Sequence, residues 1–369
     1  MSGSMTLSAG DVSVRFNPLV GAISAVHMAG QSILHQAHWV GTALADCADA
    51  PVDAHLSGDF FCAPFGGSGL SDIPPHGWPA NTPWSITHTS ETPQAAQLSA
   101  KLQRDVFGAR LTKTVQLISG HSAVYQTHHI SGGQGHLTFA HHPMVHVAQG
   151  CHIGFSRKLC AITPDNPLEP QHRLAYPARS TDLARFPSKD GGNVDLHHYP
   201  FQDADEVTAQ KAQGHEDFVT LVEAPEAAIG WTAVTRRAEK DIVIFLKDPK
   251  VAPVTMLWHS NGGRAYAPWN GQHKSVLGVE DGCCAGASTL ADAAKDNAIA
   301  RENIATHIHL APTKTTVMRH AILRVARPEH WQSVADIVPS GDSLRLISGD
   351  GAQLDVAFDC GFFPHSSSR

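Results

Sequence analysis

The stretch Thr112-Lys113-Thr114-Val115-Gln116-Leu117-Ile118-Ser119-Gly120-His121-Ser122-Ala123-Val124-Tyr125-Gln126-Thr127-His128-His129-Ile130 decides the fold class. Residues 112–117 and 122–130 alternate apolar with polar on either side of Ser119-Gly120-His121. That is the pattern of two half-buried strands joined by a turn. Gly132-Gly133-Gln134-Gly135 turns the chain again, and 136–142 reads as a further strand. Working outward, the same short alternation recurs at 12–16, 23–27, 32–34, 84–88 and 96–102. It returns at 218–223, 228–234, 241–246, 254–258, 275–280, 308–310 and 315–325. The 31 glycines and 23 prolines fall between these runs, as many turns between many strands require. The expectation is an all-β sandwich or barrel. Three segments stand apart. Residues 165–193 form a long irregular excursion, 290–304 is alanine-rich and predicts a helix, and 329–337 predicts a short helix stopped by Pro339. Residues 366–369 are expected to fray.

Composition narrows the function. Apolar residues are 42% of the 369 and charged residues 17%, which excludes a disordered chain. A formal charge of −7 disfavours nucleic acid or an anionic membrane as partner. No apolar run is long enough to span a bilayer, and Met1-Ser2-Gly3-Ser4-Met5 lacks the basic end and apolar core of a leader. The seven cysteines are odd in number and without C-x-x-C spacing, so reduced thiols and a cytoplasmic location are expected.

Histidine is over-represented, at 25. Doublets such as His128-His129, His141-His142 and His197-His198 place their rings on opposite faces of a strand, which suits no common ion. His142 with His146, and His307 with His309, have usable spacing but no H-E-x-x-H context. No metal is expected. Three other places hold candidate chemistry. Pro74-Pro75-His76-Gly77-Trp78-Pro79-Ala80-Asn81-Thr82-Pro83-Trp84 is a stiffened loop presenting His76. His141-His142-Pro143 ends one strand, and Gly278-Val279-Glu280-Asp281-Gly282 ends another. A strand-end imidazole and a strand-end carboxyl facing one cavity make an acid/base pair. Such a pair suits the opening and closing of a sugar hemiacetal, which needs neither metal nor nicotinamide. Gly66-Gly67-Ser68-Gly69 opens no helix and is a weak phosphate cradle. Trp269, in the turn-like Pro268-Trp269-Asn270-Gly271, is a better sugar-stacking candidate than Trp258.

In these motifs the sequence resembles the aldose 1-epimerase (galactose mutarotase) superfamily. The resemblance rests on the opening hairpin through Asn17-Pro18 to Gly21, and on the His76-Gly77 loop running to Pro83-Trp84. It continues in His142-Pro143 after Phe139, Gly278-Val279-Glu280, and a closing hairpin over 308–325 with Pro312 near its start. It spans 7–325 and leaves 326–369 as a C-terminal extension of one domain covering 1–369. The resemblance implies a large antiparallel β-supersandwich with a monosaccharide or sugar derivative in a cleft on one sheet. It implies Glu280 as general base on the anomeric hydroxyl and His142 as general acid on the ring oxygen, with no cofactor. It implies His76 as a sugar ligand, with Asp217 the first choice for a substrate-binding carboxylate and His215 the second. By alternation His141 competes with His142.

One departure bears on substrate. The family's arginine before the His-Gly loop is absent from Cys62-Ala63-Pro64-Phe65-Gly66-Gly67-Ser68, and Arg264 is the candidate substitute. The loss keeps open a non-catalytic carbohydrate-binding protein on the same fold. A sugar-phosphate mutarotase is a further alternative, with Arg157-Lys158 or Arg173 and Arg179 on the phosphate.

Overall fold

The computed structural model describes residues 3–67, 69–70, 72–203 and 214–363. Ser68 and residues 366–369, noted above, lie outside the described residues. Strands take about 48% of the chain and helices 7%, so the core is built chiefly from sheets. The fold is an all-β sandwich of two large antiparallel sheets. The deciding stretch forms the strands Ala109–Ile118 and Ala123–Gly132, paired antiparallel from Ala109 opposite Gly132 to Gln116 opposite Tyr125. They lie in a nine-stranded sheet, where Ala123–Gly132 is also bonded to Thr315–Ala326, and that strand to Asp241–Lys247.

The second sheet has eight strands and carries the cleft. Its centre runs His215–Glu223, Val254–Asn261, Val276–Cys283, with Phe139–His141 and Met144–His146 both pairing on Val276–Cys283. The register sets Phe218 opposite Trp258, Trp258 opposite Gly278, and Met256 opposite Glu280. Because a strand alternates its faces, one set of residues enters the inter-sheet core and the next faces outward. Val219, Leu221, Leu257, Leu277 and Val279 point inward and meet Val243, Phe245 and Ile322 of the other sheet. Each such side chain contributes about 1.5–3 kcal/mol on burial.

Both large sheets are covered on their outer faces. Residues 37–65 pack Trp39, Val52, Leu56 and Phe60 over the eight-stranded sheet. At the other side, Val334–Ser340, Ser343–Ser348 and Gln353–Ala357 make a three-stranded sheet. With Trp331 and Phe358 it covers Tyr125, Ile244, Leu246 and Leu323 of the nine-stranded sheet. Residues 331–363 thus cap the outer face of that sheet.

Three expectations are corrected. The helix over 290–304 is reduced to one turn at Leu290–Ala293 and a 3-10 turn at Ala300–Glu302. Asn297 divides them: its amide nitrogen donates to the Ala293 carbonyl, and its oxygen accepts from the backbone of Ile299 and Ala300. Alanine propensity without an apolar face to bury does not carry a helix through that break. Residues 329–337 form no helix. Val334–Ser340 is a strand, and Pro339, taken above as a stop, sits opposite Leu344 on an edge strand, where a missing N–H costs least. The 308–325 segment is not a hairpin. Ile308–Leu310 pairs with Gly135–Leu137, while Thr315–Ala326 enters the nine-stranded sheet.

Candidate active site

A cavity of about 210 Å³ opens on the outer face of the eight-stranded sheet. That is below the roughly 300–1,000 Å³ of sites for drug-sized ligands and suits a single small ring. His142 and Glu280 form its floor. His142 Nε2 lies 3.2 Å from Glu280 Oε1, and both residues are buried. Alternation explains the pairing. On Val276–Cys283, Glu280 faces the cleft and Asp281 the interior. After Phe139–His141, His141 turns inward and His142 outward. His141, the competing acid, instead sets Nδ1 2.8 Å from Asp59 Oδ2 between the sheets. Asp59 also accepts from the His142 backbone at 3.0 Å and so fixes the strand end that presents the ring. Phe60 stacks on His142, with centroids 4.4 Å apart. Gly278 makes room for the pair: a Cβ there would stand 3.1 Å from the Trp258 Cβ and 3.2 Å from Glu280 Oε1.

The other walls come from loops. His76 has a φ of 63° and precedes Gly77 at φ 72°, where a Cβ would strike the Ala63 carbonyl. This kink sets the His76 ring edge-on to His142 at 5.2 Å, with Nδ1 3.4 Å from Cys62 Sγ. Arg264 reaches in from the 262–271 loop and lies over Trp269 at 4.3 Å and Trp258 at 5.4 Å. Glu169 holds it, with Arg264 Nε and the Tyr266 hydroxyl both donating to Oε1, at 3.1 and 2.8 Å.

Asp217 and His215 do not line the cleft, which corrects their expected place. They sit on the opposite strand face from Phe218, which does line it. The Asp217 carboxylate accepts from the backbone of Arg173 and Leu174 and from the Tyr176 hydroxyl, and lies 2.8 Å from His215 Nδ1. It pins the 165–193 excursion rather than a ligand. Glu216, between them, faces the cleft side and accepts from Trp258 Nε1, Ser260 Oγ and the Gly263 backbone. Alternation counted back from Phe218 would have found it. Asp53 also lines the cavity, from the short helix Pro51–Ala54, and no sequence signal marks it.

Burial governs the charges here. It pushes Glu280 well above the usual carboxyl range and holds His142 well below the usual imidazole range. It also raises Glu216 to about 7 and Asp53 to about 6, with Arg264 opposing both, and lowers His76 to about 4. The shifts at Glu280 and His142 both favour the uncharged forms of the floor pair.

The pairing of His142 with His146 meets a geometric objection, because His146 turns away and stacks with His35. His307 and His309 lie against His136, outside the cleft. Among the described residues, Asp59, His141 and His320 bring ligand atoms within 4.8 Å of one another. The two imidazoles, however, are stacked at 4.3 Å and 16°. A metal lies in the plane of each ring that binds it, and parallel stacked planes share no such point. The phosphate candidates lie elsewhere. Arg157 pairs with Glu226, Lys158 with Glu223 and Arg179 with Glu302, and Arg173 donates to the Phe201 carbonyl. None of the four lines the cleft.

No protein-family model matches the chain, and no curated protein matches it. Solved structures do. A candidate aldose 1-epimerase of Escherichia coli K12 is 15% identical, with 88% of this chain and 99% of that one covered at a TM-score of 0.55. A galactose mutarotase related enzyme of Lactobacillus acidophilus is 13% identical over 88% and 98%, at 0.50. A candidate mutarotase of Salmonella typhimurium is 12% identical over 88% and 90%, at 0.52. At such identities the likeness shows the fold, which is mutarotase-like.

Proposed function

We propose that the protein interconverts the α and β anomers of a sugar by acid/base ring opening, without a cofactor. The observation that carries this is the 3.2 Å contact between His142 and Glu280 on the floor of a ring-sized cavity. The anomeric hydroxyl and the ring oxygen are bonded to the same carbon, so two adjacent groups reach both. Glu280 takes the hydroxyl proton and His142 delivers one to the ring oxygen. The C1–O5 bond breaks, the aldehyde rotates about C1–C2, and the ring recloses on its other face. Burial leaves the resting proton on Glu280. Transfer to His142 along their contact prepares the pair without changing its net charge. Trp258 and Trp269 wall the cavity with Arg264 across their rings, and Arg264 and His76 bind the sugar hydroxyls. Seven unpaired cysteines fit the cytoplasmic placement that belongs to this reading.

The test is anomer exchange followed by NMR on a panel of aldoses, with calorimetry on the same sugars. Exchange faster than the buffer rate supports the proposal. The rival is a sugar-binding protein without turnover, favoured by the absence of an arginine from residues 62–68. Tight binding with no catalysed exchange would select it.

A further inference from the structure

We infer that the cleft is the inner end of a longer groove and that its ligand is a reducing disaccharide, entering reducing end first. The inference rests on the reading of the cleft as a sugar site. A second cavity, of about 410 Å³, lies beside the first. Ala287 lines both. On the strand His215–Glu223, Phe218 walls the cleft and Thr220 the second cavity. Residues two apart on a strand share a face about 6.6 Å apart, so the cavities follow one another along the sheet at close spacing. The inner cavity holds one ring, and the outer has about twice its volume.

The outer lining suits a neutral polyol. Asp292 pairs with Lys295 at 3.0 Å and Asp296 with Arg301 at 2.7 Å, and Asp165 adds a third carboxylate. Carboxylates accept from sugar hydroxyls and the two cations donate to them. Three carboxylates against two cations, both already paired, give a phosphate poor reception. Ile299 supplies an apolar face for a second ring.

Calorimetry on the full chain tests this with glucose, galactose, maltose, cellobiose, lactose and glucose 6-phosphate. Ser288→Trp is the variant, because Ser288 is half-buried and lines the outer cavity alone. At least one disaccharide should bind tenfold or more tightly than its monosaccharide. Ser288→Trp should erase that advantage and leave monosaccharide binding within twofold. The exposed Asp165→Trp serves the same purpose if the first variant fails to fold. Equal binding of monosaccharides and all disaccharides by the wild type would overturn the inference. So would an advantage that survives both variants, or a preference for the phosphorylated sugar. If monosaccharides bind and disaccharides do not, only this inference falls. If no sugar of either size binds, the sugar-site reading falls with it.

Discussion

The two faces of the eight-stranded sheet use the same residue types to opposite ends. On the inner face, His141 meets Asp59, and His320 Nε2 lies 3.2 Å from Asp281, itself 2.9 Å from Lys247 Nζ. On the outer face, one residue along each strand, His142 meets Glu280. All are buried. Burial alone would raise the inner carboxyls, but His141, His320 and Lys113 hold Asp59 well below its usual range, and Lys247 and His320 do so for Asp281. No comparable partner offsets burial at Glu280, where only Arg264 opposes it. The difference is one of cations. The ammonium groups of Lys113 and Lys247 favour charged carboxylates in the interior, whereas in the cleft burial favours the uncharged forms of both Glu280 and His142.

The largest effects should fall on opposite properties. His142→Gln should lower the anomer-exchange rate about 10²- to 10⁴-fold, the usual contribution of a positioned acid or base. Adding Glu280→Gln should cost little more, because the two act as a unit. Asp59→Ala should instead lower unfolding free energy by about 3–5 kcal/mol, the cost of breaking a buried pair. Urea titration reads this, and the same titration on Glu280→Gln should show a change of about 1 kcal/mol or less. Similar stability losses in both variants would erase the contrast between the faces.

Smaller effects sharpen it. Arg264→Ala should raise KM about tenfold, or about 1.4 kcal/mol, with kcat changed less. Asp217→Asn should leave KM within about twofold, since its carboxylate serves the 165–193 excursion.

Stability should also depend on pH in a stated sense. Burial holds His35, His76, His141 and His152 at about 4 in the fold, against about 6.5 unfolded. The unfolded chain takes up these protons first, so their contribution is complete above pH 6.5 and is lost as pH falls toward 4. Glu216, raised to about 7, works the other way and loses stability as pH rises from about 4.5 to 7. The urea midpoint should therefore fall between pH 6.5 and 4.5, and more steeply in Glu216→Gln. A flat profile in both would contradict the charge assignments.

The sandwich was legible because alternation is local. Lys113, Val115 and Leu117 share one face of Ala109–Ile118, and Val115 and Leu117 are in the core as their spacing requires. The site was legible less evenly. A step of one residue separates Glu216 from Asp217 and sends the side chain to the other face, so a motif matched one position out lands on the wrong side. Residues 329–337 misled because a proline was taken for a helix stop when the chain needed only a sheet edge. Asp53 meets the cleft from a short helix, and Glu169 and Tyr266 act on it only through Arg264 and its loop; no periodicity encodes such contacts.

The central claim is that the outer pair of His142 and Glu280 moves a proton, whereas the inner carboxylates Asp59 and Asp281 stay charged and serve stability. Two-dimensional exchange NMR on the best-bound sugar, comparing wild type with Glu280→Gln, tests it most directly. The account predicts α/β cross-peaks well above the buffer rate in the wild type, reduced at least about a hundredfold in the variant. Equal exchange in the two proteins would contradict it.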